Sequence, residues 1–403
     1  MSFLSYPETE QQKKWIAIAG ELADLFAERA AKYDWEGRFP LENFEDLRRS
    51  GYTTLTVPQS LGGQGASLLD VLLAHFRLSQ GDGSTGLVTC MHLIHVARLF
   101  EARTEYPPLL RKIAQDVVEN GALINSAVSE PATGSPSRGG KPQTTAYRQP
   151  DGSWRVQGRK SFTTGSHALQ YFIVGCSIED QADGASGLEP LKADKGNFLI
   201  AHDAPGVSIE DTWDTLGMRG TGSNDLILDN VCLEADAYVD EQIPPMADAQ
   251  GRLPAWTLLI SVVYLGIAQA ARDEAIRFAT QRRPNSLKAP ISSVPHIQEK
   301  VARMDLALLQ SKAFLFSLAE QFQADPDSVQ PALYGAAKYL VTNHAVEIVD
   351  LAMRVVGAAS LALKSPLQRY YRDVRAGLHN PPMDDAALSQ LAKLALEAPQ
   401  TRS

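Results

Sequence analysis

The chain has 403 residues, of which 44% are hydrophobic and 21% are charged, a composition typical of folded rather than disordered proteins. Its length exceeds what one simple core accommodates and predicts two or three domains. The formal net charge of −9 argues against a nucleic-acid scaffold and against binding to an anionic membrane surface, although local basic groups could still hold an acidic ligand.

The cysteines and the apolar segments indicate the compartment. Cys90, Cys176 and Cys232 have neither metal-site nor redox spacing, which favours a reducing environment. Residues 1–14 are polar and lack the apolar core of a signal peptide. The longest apolar stretch, residues 256–271, is too short and too interrupted to span a bilayer. We therefore expect a soluble, cytoplasmic protein without membrane insertion.

Residues 1–120 predict an N-terminal α-helical domain. Apolar residues recur at three- and four-residue spacing in residues 15–33, 41–50 and 68–80, and Gly and Pro residues separate these segments. A glycine-rich loop, residues 57–65, lies between two of the predicted helices.

Residues 121–237 predict a central β domain, a barrel or sandwich. Short β-rich runs alternate there with turn residues. The predicted strands cover residues 123–128, 143–148, 154–157, 171–176, 197–202 and 225–228. The polar segment 178–196 predicts a surface loop.

Residues 238–403 predict a C-terminal four-helix bundle. Long helical patterns cover residues 254–282, 296–322, 328–357 and 383–398, joined by shorter loops. The predicted fold class is therefore α+β and multidomain, in the order helical domain, β domain, helical bundle.

Two stretches of the predicted β domain carry a recognisable motif. Residues 127–135 read AVSEPATGS, and residues 158–165 read GRKSFTTG. Together they resemble the flavin-facing signature of acyl-CoA dehydrogenases. There, a Thr/Ser-Glu-Pro turn with a Gly-Ser ending, here Gly134 and Ser135, precedes a Gly-x-Lys-x-aromatic-x-Thr strand. The chain is thus similar to the acyl-CoA dehydrogenase superfamily, including its flavin-dependent monooxygenase branch, over residues 8–396.

The resemblance implies which residues contact a flavin in the β domain. A flavin requires hydrogen-bond partners at its pyrimidine edge and at N5, and a flat apolar wall. The backbone amides of Val128 and Ser129, the hydroxyl of Thr164 and the ring of Phe162 could supply these contacts.

Residues of the predicted bundle resemble the FAD contacts of the same family. Arg282 ends a helix where the family has an arginine that binds the pyrophosphate of FAD in a neighbouring subunit, as a planar guanidinium can. Residues 354–360 resemble the family's Gln-x-x-Gly-Gly-x-Gly turn, with Arg354 in place of the glutamine, Gly357 retained and Ala358 in place of a glycine. The resemblance favours FAD, leaves FMN open for a monooxygenase, and implies a homodimer or homotetramer.

The catalytic base of the family has no counterpart at its usual positions. In acyl-CoA dehydrogenases a carboxylate removes the α-proton of the thioester while the β-hydride passes to flavin N5. Counting from Arg372 of the family's Arg-Asp motif, this glutamate would fall at Pro381. The position used by a minority of members falls near Trp256. Neither residue is a carboxylate.

Nearby residues are candidates for the missing group. His379 lies two residues before the family's catalytic position and could exchange a proton near neutral pH or assist oxygen chemistry at a flavin. Asp384 or Asp385 could be a displaced base, although an aspartate at a helix start is more often a cap or dipole partner. His92 and His95 could face the cavity, but no third ligand indicates a metal site.

Three functions are compatible with these residues. The first is an FAD-dependent acyl-CoA dehydrogenase of fatty acid metabolism that has a non-standard base and passes electrons to an acceptor. The second is a flavin-dependent monooxygenase, which takes reduced flavin from a reductase, activates O2 and needs no α-proton base. The third is a catalytically silent protein that keeps the flavin pocket for binding. Each predicts a small-molecule ligand, an acyl-CoA in the first case, and no nucleic acid.

Overall fold

The computed structural model describes residues 6–101, 103, 105–132, 140–180, 191, 193–239 and 254–397. Helices occupy both ends of the described chain, and strands occupy its middle. The predicted fold class and the order of helical, β and helical parts are therefore confirmed.

The first part of the chain contains five helices among its described residues. They are α1 (Glu10–Glu36), α2 (Leu41–Arg49), α3 (Leu68–Leu78), α4 (Gly83–Phe100) and α5 (Pro108–Asn120). A capping box between Thr9 and Gln12 begins α1, and Gly37, in the left-handed conformation at φ 63°, ends it. Helix α4 is buried along nearly its whole length, because it packs between the sheet and the C-terminal helices.

The middle of the chain forms one seven-stranded sheet. Its strands are β1 (Ile124–Ala127), β2 (Thr145–Arg148), β3 (Trp154–Thr163), β4 (Tyr171–Asp180), β5 (Lys195–Ala201), β6 (Val207–Glu210) and β7 (Asn224–Leu233). The strand order is β1-β4-β2-β3-β7-β6, and β5 pairs with β4. Strands β1 and β2 run parallel to β4, whereas the other pairs are antiparallel.

The sheet differs from the predicted strands in three respects. Strand β6 was not predicted, because it is short and alternates half-buried with exposed residues at the sheet edge. Strand β3 continues to Thr163, past two irregularities in its pairing with β7. The surface loop predicted at 178–196 is shorter at both ends, since β4 extends to Asp180 and β5 begins at Lys195, and most of its middle lies outside the described residues.

The last part of the chain is helical. Its helices are α6 (Leu258–Gln281), α7 (Pro295–Ala324), α8 (Ala332–Val356), α9 (Pro366–Asp373) and α10 (Asp384–Glu397). The short α9, which was not predicted as a separate helix, packs against α6 and α8. Residues 255–281 are long and apolar enough to cross a bilayer, but 83% of the apolar window is buried inside the protein, as in a core helix.

The β domain and the C-terminal helices meet tightly at one loop, residues 215–221. The backbone N–H of Met218 donates to Oδ1 of Asp373 over 2.6 Å. Beside it, a Cβ on Gly217 would lie 2.3 Å from the carbonyl oxygen of Arg372, so only glycine allows this approach. The guanidinium of Arg372 in turn pairs with Asp34 of α1, at 2.5 Å. The loop therefore holds the end of α9 and the end of α1 against the sheet.

Candidate functional site

A cavity of about 670 Å³ lies where the sheet meets α4, α6 and the segment that follows α9. We call its two sides the sheet wall and the helix wall. The sheet wall consists of Asn125, Ser126, Val128, Ser129, Glu130, Phe162, Thr164, Trp213, Thr215, Leu216, Gly217, Met218, Thr221 and Ser223. The helix wall consists of Leu87, Met91, His95, Thr257, Ile260, Arg372, Arg375, Ala376, His379, Asn380 and Pro381.

A buried ion pair underlies the sheet wall. Nζ of Lys160 lies 2.6 Å from Oε1 of Glu130, and the two side chains are 0% and 1% exposed. The backbone N–H groups of Gln143 and Thr144 also donate to the Glu130 carboxylate. Burial alone would raise the pKa of Glu130, but the bonds from Lys160 and these N–H groups lower it to about 2. Glu130 of the first motif stretch (residues 127–135) and Lys160 of the second (residues 158–165) therefore bind the two stretches together.

The predicted flavin contacts of the β domain come together on the sheet wall. Val128, Ser129, Phe162 and Thr164 all line the cavity. The ring of Phe162 is 65% exposed, and its backbone has a φ of 56°, a conformation that non-glycine residues rarely adopt. Trp213 supports this ring edge-on, at 5.9 Å between centroids. The result is a flat, open aromatic face on which a planar ring could stack.

A chain of hydroxyl groups continues this wall. Oγ1 of Thr221 donates to the carbonyl of Met218 over 3.0 Å. Because that bond uses the only proton of Thr221, Ser223 must donate in the 2.8 Å contact between their hydroxyls. Thr164 must then donate to Ser223, 3.0 Å away. Thr164 thus presents lone pairs, and no proton, to the cavity.

His379 lies on the helix wall, on the short loop between α9 and α10. Its backbone N–H donates to Ala376 over 3.0 Å, and its imidazole is exposed. The next residue, Asn380, accepts a hydrogen bond from the hydroxyl of the buried Tyr264 of α6, which anchors the loop. Pro381 lines the cavity as well.

The two histidines of α4 have different environments. Nε2 of His92 lies 2.9 Å from the Thr53 carbonyl, and its Nδ1 accepts the N–H of Ile124, so this ring is fully engaged and lies outside both walls. His95 lines the cavity, and its Nε2 has no hydrogen-bond partner among the described residues. Burial lowers the pKa of His95 to about 3, so the ring is neutral. Within the described chain, no group of His, Cys, Asp and Glu side chains could hold a metal ion.

The structure places Asp384 and Asp385 outside both cavity walls. Asp384 lies 3.5 Å from Nζ of the buried Lys338 and accepts a hydrogen bond from Asn343 of α8. Burial lowers the pKa of Lys338, and the Asp384 carboxylate opposes that effect. Asp385 is exposed at the start of α10. The geometry therefore gives Asp384 a partner in α8 and leaves His379 as the candidate base that reaches the cavity.

The remaining predicted cofactor contacts lie away from the cavity. Arg282, Arg354 and Gly357 are exposed on the surface and belong to neither wall. Nε of Arg354 donates to Asp350 one turn earlier, at 2.6 Å. A Cβ on Gly357 would meet no atom within 4 Å, so the space around this turn is open. Gly134 and Ser135 lie outside the described residues.

Several residues of the site were not predicted from the sequence. Thr221 and Ser223 lie in the glycine-containing segment 220–223 just before β7, where two hydroxyl residues two positions apart were a usable signal. The indole nitrogen of Trp256 donates to Glu101 over 3.2 Å, which places a carboxylate beside the family's minority base position but outside both walls. Among the described wall residues, Glu130 is the one carboxylate.

Family models match nearly the whole chain. They describe the acyl-CoA dehydrogenase N-terminal domain over residues 8–105, the middle domain over residues 125–231 and the C-terminal domain over residues 246–378. The matches span the α1–α4 helices, the sheet, and the helices from α6 to the end of α9 and the loop after it.

Individual relatives carry names from two kinds of chemistry. The chain is 47% identical to the putative acyl-CoA dehydrogenase YdbM of Bacillus subtilis, over 97% of this chain and 99% of that protein. It is 32% identical to the amino sugar nitrososynthase RubN8 of Streptomyces rubradiris, over 87% of this chain and 81% of that protein. The structure of KijD3 in complex with FMN and a dTDP-amino-keto sugar has a TM-score of 0.82 and 27% identity, covering 98% of this chain and 96% of KijD3.

Proposed function

Because the chain belongs to the acyl-CoA dehydrogenase family of flavin-dependent oxidoreductases, we propose that it binds a flavin in the cavity and acts as a monooxygenase. One observation carries this proposal. The helix wall presents an imidazole, His379, beside Pro381, and the one carboxylate among the described wall residues, Glu130, is held by Lys160. Such a site offers an imidazole for proton transfer, but its described walls offer no free carboxylate for removing an α-proton.

The sheet wall fits a flavin. The exposed face of Phe162 suits a planar ring, and the Thr164 hydroxyl accepts a hydrogen bond from a ligand N–H. A bound reduced flavin would supply two electrons, which with two protons allow one atom of O2 to enter the substrate while the other leaves as water. A separate reductase would deliver the reduced flavin. Arg282, Arg354 and Gly357 lie at the surface, where they could contact the FAD of a neighbouring subunit in a dimer or tetramer.

The helix wall handles the protons of this reaction. His379 is the side chain placed to pass a proton to the departing oxygen atom, and its exposed position gives it access to solvent. The hydrogen bond from Tyr264 to Asn380 keeps the adjacent loop in place.

The nitrososynthase RubN8 and the FMN complex of KijD3 support this function by similarity. The cytoplasmic location remains a prediction.

Dehydrogenation of an acyl-CoA is the second candidate. The similarity to the putative acyl-CoA dehydrogenase YdbM favours it. In that case His379 would remove the α-proton in place of the family's glutamate while the β-hydride reduces the flavin. The two candidates differ in their need for O2 and in the direction of electron flow.

Anaerobic mixing separates the candidates. We expect the purified protein to bind FMN or FAD and to gain thermal stability from it, and acyl-CoA thioesters of short to long chain to leave the oxidised flavin absorption unchanged. With reduced flavin and ¹⁸O2, a panel of bicyclic aromatics and amino sugar nucleotides should yield a product that carries one labelled oxygen. Rapid bleaching of the flavin by an acyl-CoA without O2 would replace the proposal by the second candidate.

Substitution of the candidate bases tests the assigned roles. We expect His379→Ala to lower product formation roughly 100-fold while flavin affinity is retained, since general acid–base groups contribute about 10²–10⁴ in rate. Asp385→Asn is the matched control, because this residue is exposed outside the cavity and should leave the rate unchanged. A protein that neither binds flavin nor is stabilised by it would contradict the cofactor assignment.

A further inference from the structure

One face of α4 forms the deep part of the helix wall. Leu87, Met91 and His95 are four residues apart, so their side chains follow each other along the same face of the helix, and all three line the cavity. Ile260 of α6 lies on the same wall. His95 is therefore a polar group set in an otherwise apolar part of the cavity.

The His95 ring is held in place but incompletely bonded. The residue is 5% exposed, the side chain of Asn125 hydrogen-bonds the ring, and Nε2 has no partner among the described residues. Asn125 itself is fixed, because its Nδ2 donates to the Thr164 carbonyl over 2.9 Å and its Oδ1 accepts the N–H of Ser126 over 2.7 Å. A buried polar nitrogen without a hydrogen bond costs free energy, which a ligand could recover.

The charges around His95 restrict what this ligand can be. Burial first, and then the neighbouring Arg98 and His92, keep the pKa of His95 low, so the ring forms hydrogen bonds as a neutral group. Arg98 is itself buried, and Glu101 lies close enough to stabilise its charge. Any charged ligand group beside His95 would lose its hydration on burial, and a cationic group would also be repelled by Arg98. An uncharged polar group meets neither cost.

We propose that His95 selects the substrate of the cavity by a hydrogen bond to one uncharged polar group on an otherwise apolar, compact molecule. This inference rests on the proposed function, because it assigns the substrate to the space between the sheet wall and the α4 face. Asn125 is the positioning residue, since it orients the ring without itself being free to turn.

Three bicyclic probes of nearly the same shape test this role in the oxidised, FMN-loaded protein, where no turnover occurs. Indole offers an N–H donor, benzofuran an oxygen acceptor, and indene neither. Their affinities can be measured by calorimetry and by perturbation of the flavin absorption spectrum. We expect one of the first two to bind roughly tenfold more tightly than indene, the factor that about 1.4 kcal/mol from one neutral hydrogen bond gives.

Variants of His95 test whether its imidazole causes the preference for a polar probe over indene. His95→Leu should reduce the preference to within about twofold while indene binds as before, and His95→Gln, which keeps a hydrogen-bonding group, should retain part of it. The matched control is His296→Leu, which removes an exposed imidazole at the start of α7 and should leave all three affinities unchanged. Should His95→Leu fail to fold, the comparison of wild type with His95→Gln still decides the question.

The result that would overturn the inference is equal binding of the three probes by the wild type, no saturable binding of any probe, or an undiminished preference in His95→Leu. The binding assay requires neither reduction nor O2. Loss of the preference in His95→Leu together with absent O2-dependent oxidation would therefore reject the monooxygenase and keep the role of His95. O2-dependent oxidation of a substrate without any preference among the three probes would keep the monooxygenase and reject the role of His95.

Discussion

The sheet wall of the cavity is held by buried charges and a chain of hydroxyl groups, whereas the helix wall is held mainly by apolar packing of α4 against α6. The sheet wall contains the Thr164–Ser223–Thr221 chain and Glu130, and Lys160 lies beneath it as the ion-pair partner of Glu130. On the helix wall, His379, the candidate base, lies on a short loop. The comparison teaches that the wall with the flavin-family motif is built from side chains that bond one another, whereas the polar groups of the opposite wall, His95 and His379, are single side chains on separate elements.

Lys160→Met should produce the largest effect. It leaves the Glu130 carboxylate buried without its cation, which typically costs about 3–5 kcal/mol. Urea unfolding followed by fluorescence measures the loss. Adding Glu130→Gln should recover part of it, because the uncompensated charge is then removed. Arg303→Met breaks an exposed pair with Glu347 and should cost less than about 1 kcal/mol. Equal losses in the two single variants would contradict the difference between buried and surface pairs.

Asp373→Asn tests the junction between the two walls through its pH dependence. Burial, with smaller contributions from Asp82 and Asp34, raises the pKa of Asp373 from 3.8 to about 7, against the opposing bond from Met218 and the charge of Arg369. The folded state therefore binds this proton more tightly than the unfolded state, so wild-type stability falls as pH rises between these two values.

The amide of the Asp373→Asn variant keeps an oxygen for the Met218 N–H but has no proton to lose. The stability of the variant relative to wild type should therefore increase by about 2 kcal/mol from about pH 5 to about pH 8. Thermal unfolding of both proteins across this range measures the difference. A constant difference at all pH values would show that the carboxyl does not titrate in this window.

Ser223→Ala should have the smallest effect, and it concerns the sheet wall alone. Without Ser223, the Thr164 proton becomes free to point into the cavity, and the site no longer favours a ligand donor there. Reduced flavin carries one more N–H at N5 than oxidised flavin. We expect the ratio of affinities for reduced over oxidised flavin to fall roughly fivefold, because one neutral hydrogen bond contributes about 1 kcal/mol to binding. Ser208→Ala, on exposed β6, should leave the ratio unchanged.

The sheet wall was largely predictable from the sequence, whereas on the helix wall the loop with His379 and Pro381 was predicted and the contacts between helices were not. Val128, Ser129, Phe162 and Thr164 were all found on the cavity, because two short motifs, at the ends of β1 and β3, carry them. The pairing of Asp384 with Lys338 depends instead on how α8 packs against α10, and this contact joins residues 46 apart in sequence. No local pattern encodes such a distance.

The same limit applies to the α4 histidines. The three-residue spacing of His92 and His95 suggested a pair, but the backbone groups that bond His92 belong to residues 39 and 32 positions away. Only the packed structure shows that one ring is fully bonded and the other is not. Strand β6 was missed for a related reason, since a four-residue edge strand has too few buried positions to produce a pattern.

The bond between Asp34 and Arg372 also sets an order of events during synthesis. The two residues are 338 positions apart, and translation at about 5–20 residues per second separates their appearance by roughly 20–70 s. The strands of the sheet wall leave the ribosome well within that interval, whereas the end of α9 emerges afterwards. A nascent chain stalled before Arg372 would thus contain the strands of the sheet wall but not the ion pair that holds α1 to α9. Truncation that removes either Asp34 or Arg372 would remove the same ion pair.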